Sequence, residues 1–439
     1  MTEMNQQAGG ARDSARLGIL TAGMGAIATT LIGGVAAVKQ GLAKPIGALT
    51  QMSHAVDADG QRQPLGEYLG LPRLGQLRFG GWDISNGTCY DAAQRAAVLE
   101  PLLLQAVRPE LESIEPMAGI HDPQYLRRAK GQRLKPQSNK FEQAEALRAD
   151  IRAFRQQQGV EQVVVEWCGS TEVFMAPGPA HQNAKIFETA LKQNEATIAP
   201  SMIYAYAALM EGCPFVNATP TLTVDLPVMI ELAQRHGAPV CGKDLKTGQT
   251  LLKTILAPGL KKRALGINGW FSMNILGNQD GAVLDDPAAF RSKEESKLSA
   301  LNHILEPELY PDLYGQISHQ VKINYYPPRG DNKESWDTID VLGWLGYAMQ
   351  IKVDFLCRDS ILAAPLLLDL ALLSAAAQAA GRSGAQEWLG FYFKSPQTQQ
   401  GRPEHDLSVQ YQRLQDALGQ LAAERRARAA AVAAPGAAR

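Results

Sequence analysis

The sequence predicts an α/β fold in which a Rossmann-type domain with a mainly parallel sheet is interrupted by an α+β domain. Short apolar, β-branched segments alternate with helical patterns, and this alternation is typical of βαβ units. A glycine-rich turn follows the first predicted strand, as in nucleotide-binding folds. The alternation then breaks between about residues 255 and 345, where prolines and mixed polar and aromatic strands occur.

The elements follow from these patterns in chain order. The predicted strands of the first domain are RLGILTAG, QLRFGGWDI, EQVVVEWCG and APVCGKD. The predicted helices are AIATTLIGGVAAVKQG, DAAQRAAVLEPLLLQAV and PVMIELAQRHG. The segments INGWFSMNIL and GQISHQVKINYYP are predicted strands of the inserted domain, and DFLCRDSILAAPLLLDLALLSAAAQ is predicted as an apolar helix that packs back on the first domain.

Composition narrows the class of protein. The chain has 439 residues, of which 45% are hydrophobic and 20% charged, and this is ordinary globular usage. A formal net charge of -1 gives no basic field for nucleic acid or an anionic membrane. The five cysteines are scattered without metal-ligand spacing, which favours reduced thiols and a cytoplasmic location. We read neither a signal peptide nor a membrane span in the N-terminal region.

The first candidate site is a cofactor turn. Strand RLGILTA leads into Gly23, Met24, Gly25 and Ala26, which begin a G-x-G-x-x-A motif that ends at Ala28. Gly23 permits the tight turn, and Gly25 lets a pyrophosphate approach the helix N-terminus. Asp83 is the candidate ligand of an adenosine ribose, although it lies about sixty residues on rather than the roughly twenty expected. It is alternatively a cap for the turn at Ser85.

A second anion site is predicted where a strand ends at Asp244 and a helix begins near Thr250. The turn supplies two hydroxyls, an amide and free backbone N-H groups, from Thr247, Gly248, Gln249 and Thr250. The simpler alternative is a polar helix cap. Further along, Lys293 and Lys297 would share one helix face, where each ammonium favours the neutral form of the other. They are either surface residues or part of an anion and carbonyl site.

Several segments together resemble the myo-inositol-1-phosphate synthase family. The similarity spans roughly residues 16 to 400, and WFSMNILGNQDG through FRSKEESK is its most specific part. The other matching segments, in order, are GWDISNGTCYDAAQRAAVL, APVCGKDLKTGQT, GDNK, RDSILAAPLLLDL and YFKSP. The resemblance implies NAD as cofactor, glucose 6-phosphate as substrate, and a cytosolic homotetramer that makes inositol phosphate. It leaves open whether a mono- or divalent cation takes part, and the metal ligands are unknown.

The resemblance also implies roles for individual residues. Lys293 and Lys394 would act as acid, base and oxyanion partners at O5, and Lys333 would bind the C1 aldehyde oxygen. Lys297 would join Thr247, Gly248, Gln249 and Thr250 around the phosphate. The remaining polar residues would position lysines and sugar hydroxyls; these are Asp244, Asn278, Asp280 and Asp331. Thr171 and Asp359 would lie on the cofactor side.

The resemblance, with the patterns, gives a domain plan. Residues 1–14 form a flexible tail, 15–250 the first part of the NAD-binding domain, 251–362 the catalytic and tetramerisation domain, 363–420 the return to the first domain, and 421–439 an alanine-rich tail. Two other functions remain open at this point. One is a non-catalytic homologue that binds NAD or sugar phosphate, against which the retained lysines argue. The other is a net NAD-dependent sugar-phosphate dehydrogenase, for which NADH would accumulate.

Overall fold

A seven-stranded parallel sheet forms the centre of the first domain. The computed structural model describes residues 16–57, 59–127, 129–277 and 300–433. The strand order is β13-β8-β7-β6-β1-β4-β5, and every pairing in this sheet is parallel. The strands are β1 (Leu17–Ala22), β4 (Leu77–Asp83), β5 (Met117–Ala118), β6 (Gln162–Trp167), β7 (Phe215–Asn217), β8 (Pro239–Gly242) and β13 (Gly384–Ala385). The predicted α/β class is therefore confirmed.

Helices cover both faces of this sheet, and β1 is buried along its whole length as a result. Before the inserted domain the helices are α1 (Ala26–Lys39), α2 (Leu49–Met52), α3 (Leu65–Tyr68), α4 (Cys89–Ala96), α5 (Pro101–Ala106), α6 (Arg108–Glu112), α7 (Lys140–Gln158), α8 (Ala184–Lys192), α9 (Pro200–Met210), α10 (Pro227–Arg235) and α11 (Gly248–Lys262). A small hairpin of β2 (His54–Val56) and β3 (Arg62–Pro64) lies outside the sheet.

The inserted domain contains a four-stranded mixed sheet of order β10-β9-β11-β12. Its strands are β9 (Gly266–Leu276), β10 (Ser318–Tyr325), β11 (Asn332–Leu342) and β12 (Ala348–Arg358). Strand β11 is antiparallel to both neighbours, whereas β9 and β10 are parallel. One face packs on α11, on helical residues 300–305 and on α12 (Pro311–Tyr314) through an apolar cluster that includes Trp270.

The chain returns to the first sheet through α13 (Asp359–Ala379) and then α14 (Leu407–Ala433). Helix α13 is long and apolar enough to cross a membrane by length and composition, but 78% of its most apolar window is buried inside the protein. It lies on β6, β7 and β8 as a core helix. This agrees with the prediction that an apolar helix packs back on the first domain.

Three details differ from the sequence interpretation. The helix predicted across DAAQRAAVLEPLLLQAV is split into α4 and α5, because Ala97 is left-handed and Pro101 starts a new helix. The segment DFLCR ends strand β12, so α13 begins only at Asp359. Helix α14 continues through Leu421, the predicted start of the tail, which is fully buried.

Candidate active site

The predicted cofactor turn joins β1 to α1. Gly23 has φ +95, and a Cβ there would lie 2.7 Å from the Gly169 backbone, so only glycine fits. Gly25 precedes α1, and among the described residues nothing lies within 4 Å of a Cβ built there and no side chain caps the helix. The first turn of α1 contains no acidic residue. The N-terminus of α1 is therefore open toward an anion.

Asp83 ends β4 directly beside this turn. Its carboxylate accepts hydrogen bonds from the backbone N-H of Met24 at 2.7 Å and of Ser85 at 2.7 Å. Asp83 therefore does cap the turn at Ser85, which was the alternative interpretation from the sequence. The same carboxylate also lines the cleft, so it remains in place to bind a ribose.

A cleft of about 710 Å³ runs along the carboxyl ends of β1, β4 and β6. Its lining includes Gly23, Met24, Gly25 and Ala26 from the first domain and Asp331 from the inserted domain. The described lining does not include the predicted cofactor residues Thr171 and Asp359. Thr171 is buried, and its neighbour Glu172 accepts a hydrogen bond from Ser201 Oγ at 2.6 Å, so this segment is held to the start of α9.

Lys394 and Asp244 form a buried ion pair. The Lys394 Nζ lies 2.9 Å from Asp244 Oδ1, and both side chains are less than a tenth exposed. A short two-stranded ladder aligns them, in which residues 242–246 exchange backbone hydrogen bonds with residues 392–397. The second oxygen, Asp244 Oδ2, is buried without a hydrogen-bond partner among the described residues. A buried carboxylate oxygen of this kind is suited to accept a proton or a hydroxyl hydrogen from a bound substrate.

Lys333 lies at the start of β11 and faces Asp359. The Lys333 Nζ is 3.4 Å from Asp359 Oδ2, while Thr247 Oγ1 donates to Asp359 Oδ1 at 2.8 Å. Asp359 therefore links the lysine to the predicted phosphate turn. Its contact with the cofactor stays a prediction.

The phosphate turn itself is the N-terminus of α11. Thr247 precedes the helix but makes no side-chain cap, because its hydroxyl is bonded to Asp359. Gly248 has φ +57, and a Cβ there would lie 3.3 Å from Lys333 Nζ. The uncapped helix N-terminus, the buried Thr250 and the ammonium of Lys333 together favour a bound anion.

The prediction for the Gln249 side chain requires correction. Its amide nitrogen donates to Met273 O at 3.0 Å and to Asp337 Oδ2 at 3.0 Å. Its carbonyl oxygen accepts from Asn274. The side chain is thus buried against the second sheet rather than around a phosphate, and only its backbone N-H belongs to the helix N-terminus.

Asp331 lies where the two domains meet. Its Oδ1 accepts from Ser360 Oγ at 2.7 Å, which ties β11 to the first turn of α13. The nearby Arg329 forms an ion pair with Glu334. The positive charge of Arg329 is therefore compensated by Glu334 of β11.

Two buried lysines were missed by the sequence interpretation. Burial lowers the pKa of Lys246 to about 7 and the pKa of Lys253 to about 8. Lys246 donates to Gln410, whereas Lys253 Nζ lies 2.8 Å from His319 Nε2. The sequence did contain a signal for the burial of Lys253. It follows Gln249 by four residues, and this spacing places both side chains on one face of α11.

Four predicted site residues lie outside the described residues, and their predicted roles are untested. They are Asn278, Asp280, Lys293 and Lys297. Among the residues that the structure describes, no group of three or more histidine, cysteine or acidic side chains is arranged to hold a metal ion.

Comparison with known proteins gives concordant matches. A model of an NAD-binding family, described as myo-inositol-1-phosphate synthase, matches residues 17–418. Inositol-3-phosphate synthase 1 of Bacteroides thetaiotaomicron is 49% identical over 93% of this chain and 96% of its own length. Inositol-3-phosphate synthase of Saccharomyces cerevisiae is 32% identical over 82% of this chain and 73% of its own length.

A solved structure matches the fold as well. The crystal structure of inositol-3-phosphate synthase from Caenorhabditis elegans superposes with a TM-score of 0.85 at 30% identity, covering 93% of this chain and 86% of that one. A myo-inositol-1-phosphate synthase-related protein from Thermotoga maritima gives a TM-score of 0.72 at 20% identity, covering 92% of this chain and 98% of that one. This second match supports the fold alone.

Proposed function

The chain belongs to the myo-inositol-1-phosphate synthase family, and from that membership we propose that it converts D-glucose 6-phosphate into 1D-myo-inositol 3-phosphate with NAD as cofactor. The reaction oxidises C5 of the open-chain sugar, removes a proton from C6, joins C6 to the C1 aldehyde and reduces C5 again. The observation that carries the proposal is the pair of buried lysine-aspartate contacts beside the start of α11.

NAD+, when bound, supplies the hydride acceptor for C5 and later the hydride donor. The chain supplies a fitting site for it in the Gly23 turn, the uncapped N-terminus of α1 and the Asp83 carboxylate. The cleft also extends to Asp331 of the inserted domain. Asp331 is two residues before Lys333, so a sugar placed at that end would lie near this lysine.

Lys394 is the described lysine best suited to act at O5. Its ammonium is held in a water-poor environment by Asp244, where a fixed positive charge stabilises an oxyanion more strongly than solvent does. Asp244 Oδ2, which has no hydrogen-bond partner among the described residues, can hold a sugar hydroxyl or receive a proton relayed from it. Lys293 would share this work, as the resemblance implies.

Lys333 is suited to act at the C1 oxygen. It is buried, it is oriented by Asp359, and it adjoins the helix N-terminus that would bind the phosphate. Because the new bond joins C1 to the carbon that bears the phosphate ester, the two sites must be neighbours. Their closeness supports ring closure rather than simple dehydrogenation.

The decisive experiment incubates purified protein with glucose 6-phosphate and a small amount of NAD+, followed by NMR identification of the product. Product should greatly exceed the NAD+ supplied, without net NADH, because oxidation and reduction occur on one bound molecule. NADH that rises in proportion to substrate consumed would instead indicate a dehydrogenase. Binding without any turnover would indicate the non-catalytic homologue.

We also propose that the protein assembles as a homotetramer through the outer face of the second sheet. On this face Trp336 pairs with Met273 across two strands, and Leu356, which is 66% exposed, lies beside Glu334. Apolar side chains that remain exposed on a sheet face favour burial by another copy. Light scattering should give four times the chain mass, and Leu356→Lys should lower it.

The remaining proposals concern the cellular setting. We propose a cytoplasmic enzyme of inositol biosynthesis that feeds phospholipid synthesis, and five free cysteines are compatible with a reducing compartment. Participation of a mono- or divalent cation is a further proposal. Dialysis against a chelator, followed by assays with added monovalent or divalent salts, tests it.

A further inference from the structure

Helix α11 is fixed to the second sheet by buried polar contacts near its N-terminus, whereas its C-terminal half packs on apolar residues. Gln249 and Lys253 lie four residues apart on one face and are both almost fully buried. Apolar packing of similar shape is often as stable as a buried polar network, so such a network is better suited to fixing one orientation.

Asp337 is the centre of this network. Its Oδ1 accepts from Trp270 Nε1 at 2.8 Å and from Ser272 Oγ at 2.5 Å. Its Oδ2 accepts from Gln249 Nε2 at 3.0 Å. The carboxylate therefore has one oxygen directed to the sheet and the other to the helix, and this division fixes the rotation of α11.

The same strand also presents Lys333. Side chains two residues apart point to one face of a strand, so Lys333 and Asp337 both lie on the face of β11 toward α11. At the Lys333 end of this face, Gly248 approaches the ammonium so closely that a Cβ would lie 3.3 Å from it. The Asp337 contact thus determines how the start of α11 is aligned with Lys333.

We propose that Asp337 is a positioning residue that holds the phosphate-binding end of α11 in register with Lys333 for ring closure. This inference rests on the proposed function. Oxidation at C5 moves a hydride from C5 to NAD+ and releases the O5 proton, and it yields a 5-keto sugar phosphate, NADH and H⁺. Ring closure then transfers the C6 proton to the enzyme and forms the C6-C1 bond as the C1=O double bond becomes a single bond, and O1 takes up a proton from the enzyme. Only ring closure requires the phosphate and O1 to be held together.

The test is Asp337→Asn, which keeps the shape but has a single accepting oxygen, so it cannot accept from both Trp270 and Gln249. We expect inositol phosphate formation to fall about 10²-fold, as for a small misplacement of reacting groups. The rate of NADH formation in the first turnover, measured by stopped flow on enzyme mixed with glucose 6-phosphate and NAD+, should stay within about threefold of wild type. The variant should therefore accumulate NADH together with the keto sugar phosphate, which the wild-type enzyme does not.

Ser272→Ala is the matched control, because it removes a donor to the same carboxylate on the side away from α11. It should lose stability yet still form inositol phosphate without accumulating NADH. If Asp337→Asn remains coupled, or loses NADH formation and product formation equally, the inference is wrong. If Asp337→Asn does not fold, Gln249→Met removes the same hydrogen bond. Whether that variant accumulates NADH in place of inositol phosphate then decides the question. A wild-type enzyme that makes no inositol phosphate would instead refute the proposed function.

Discussion

Replacing Gly248 by alanine tests whether the start of α11 and Lys333 form one site. Gly248 has φ +57, a left-handed conformation that an alanine adopts at a cost of about 1–2 kcal/mol. Part of this cost is offset, by roughly 0.4–1 kcal/mol, because alanine lowers the entropy of the unfolded chain. The expected loss of stability is therefore about 1 kcal/mol.

The added methyl group has a second effect. It would lie 3.3 Å from Lys333 Nζ and 3.5 Å from Cε, which is tight enough to displace the ammonium by a few tenths of an ångström. A misplacement of 1 Å costs about 10²-fold in rate, so a displacement of this size costs on the order of fivefold in kcat. The loss of rate thus depends on contact with the lysine, whereas the loss of stability does not.

Gly237→Ala is the matched control. Gly237 has φ +65, and a Cβ there would meet nothing within 4 Å in the described part of the chain. Urea unfolding should show similar destabilisation of the two variants, while steady-state assays of inositol phosphate formation should show a lowered kcat only for Gly248→Ala. Equal kcat values for the two variants would refute the assignment of Lys333 and Gly248 to one site.

Three further predictions address other parts of the protein. Thr250→Val should raise KM for glucose 6-phosphate by the equivalent of about 1.5–3 kcal/mol, and an unchanged KM with a lowered Tm would favour a helix-cap role. Lys293→Met should lower kcat by about 10²- to 10⁴-fold with NAD binding intact, and near-normal kcat would exclude Lys293 from proton transfer. Burial raises the pKa of Glu172 to about 7, so its stabilising contribution is complete below the unfolded value of about 4.3 and is lost as pH rises through 7. Glu172→Gln should flatten the dependence of unfolding free energy on pH across that range, and an unchanged slope would contradict the buried-carboxyl interpretation.

The central sheet was predictable because strands buried on both faces appear in sequence as continuous apolar runs. β1 and β6 are of this kind, and the glycine turn after β1 followed from its position between a strand and a helix. Pro101 marked the break between α4 and α5 in the sequence, but the continuous apolar pattern around it was interpreted as one helix.

The site was predictable only in part from local patterns. Asp244 and Thr250 lie in one recognisable turn. Lys394, the partner of Asp244, is 150 residues away and was predicted as a site residue only from the family resemblance. The side chain of Gln249 was misassigned because its acceptor, Asp337, is 88 residues distant and no local pattern specifies that contact. A polar residue at a helix start has the same local signature whether it binds a ligand or a neighbouring sheet.

The short ladder between residues 242–246 and 392–397 has a consequence for biosynthesis. Domains fold largely as the chain emerges from the ribosome, and contacts between distant segments must wait for the later one. The Asp244 carboxylate is made long before the lysine that neutralises it, with the whole inserted domain translated between them. A nascent chain that ends before Lys394 lacks this partner, so the pair of Asp244 and Lys394 forms late in translation, after all seven described strands of the central sheet have been synthesised.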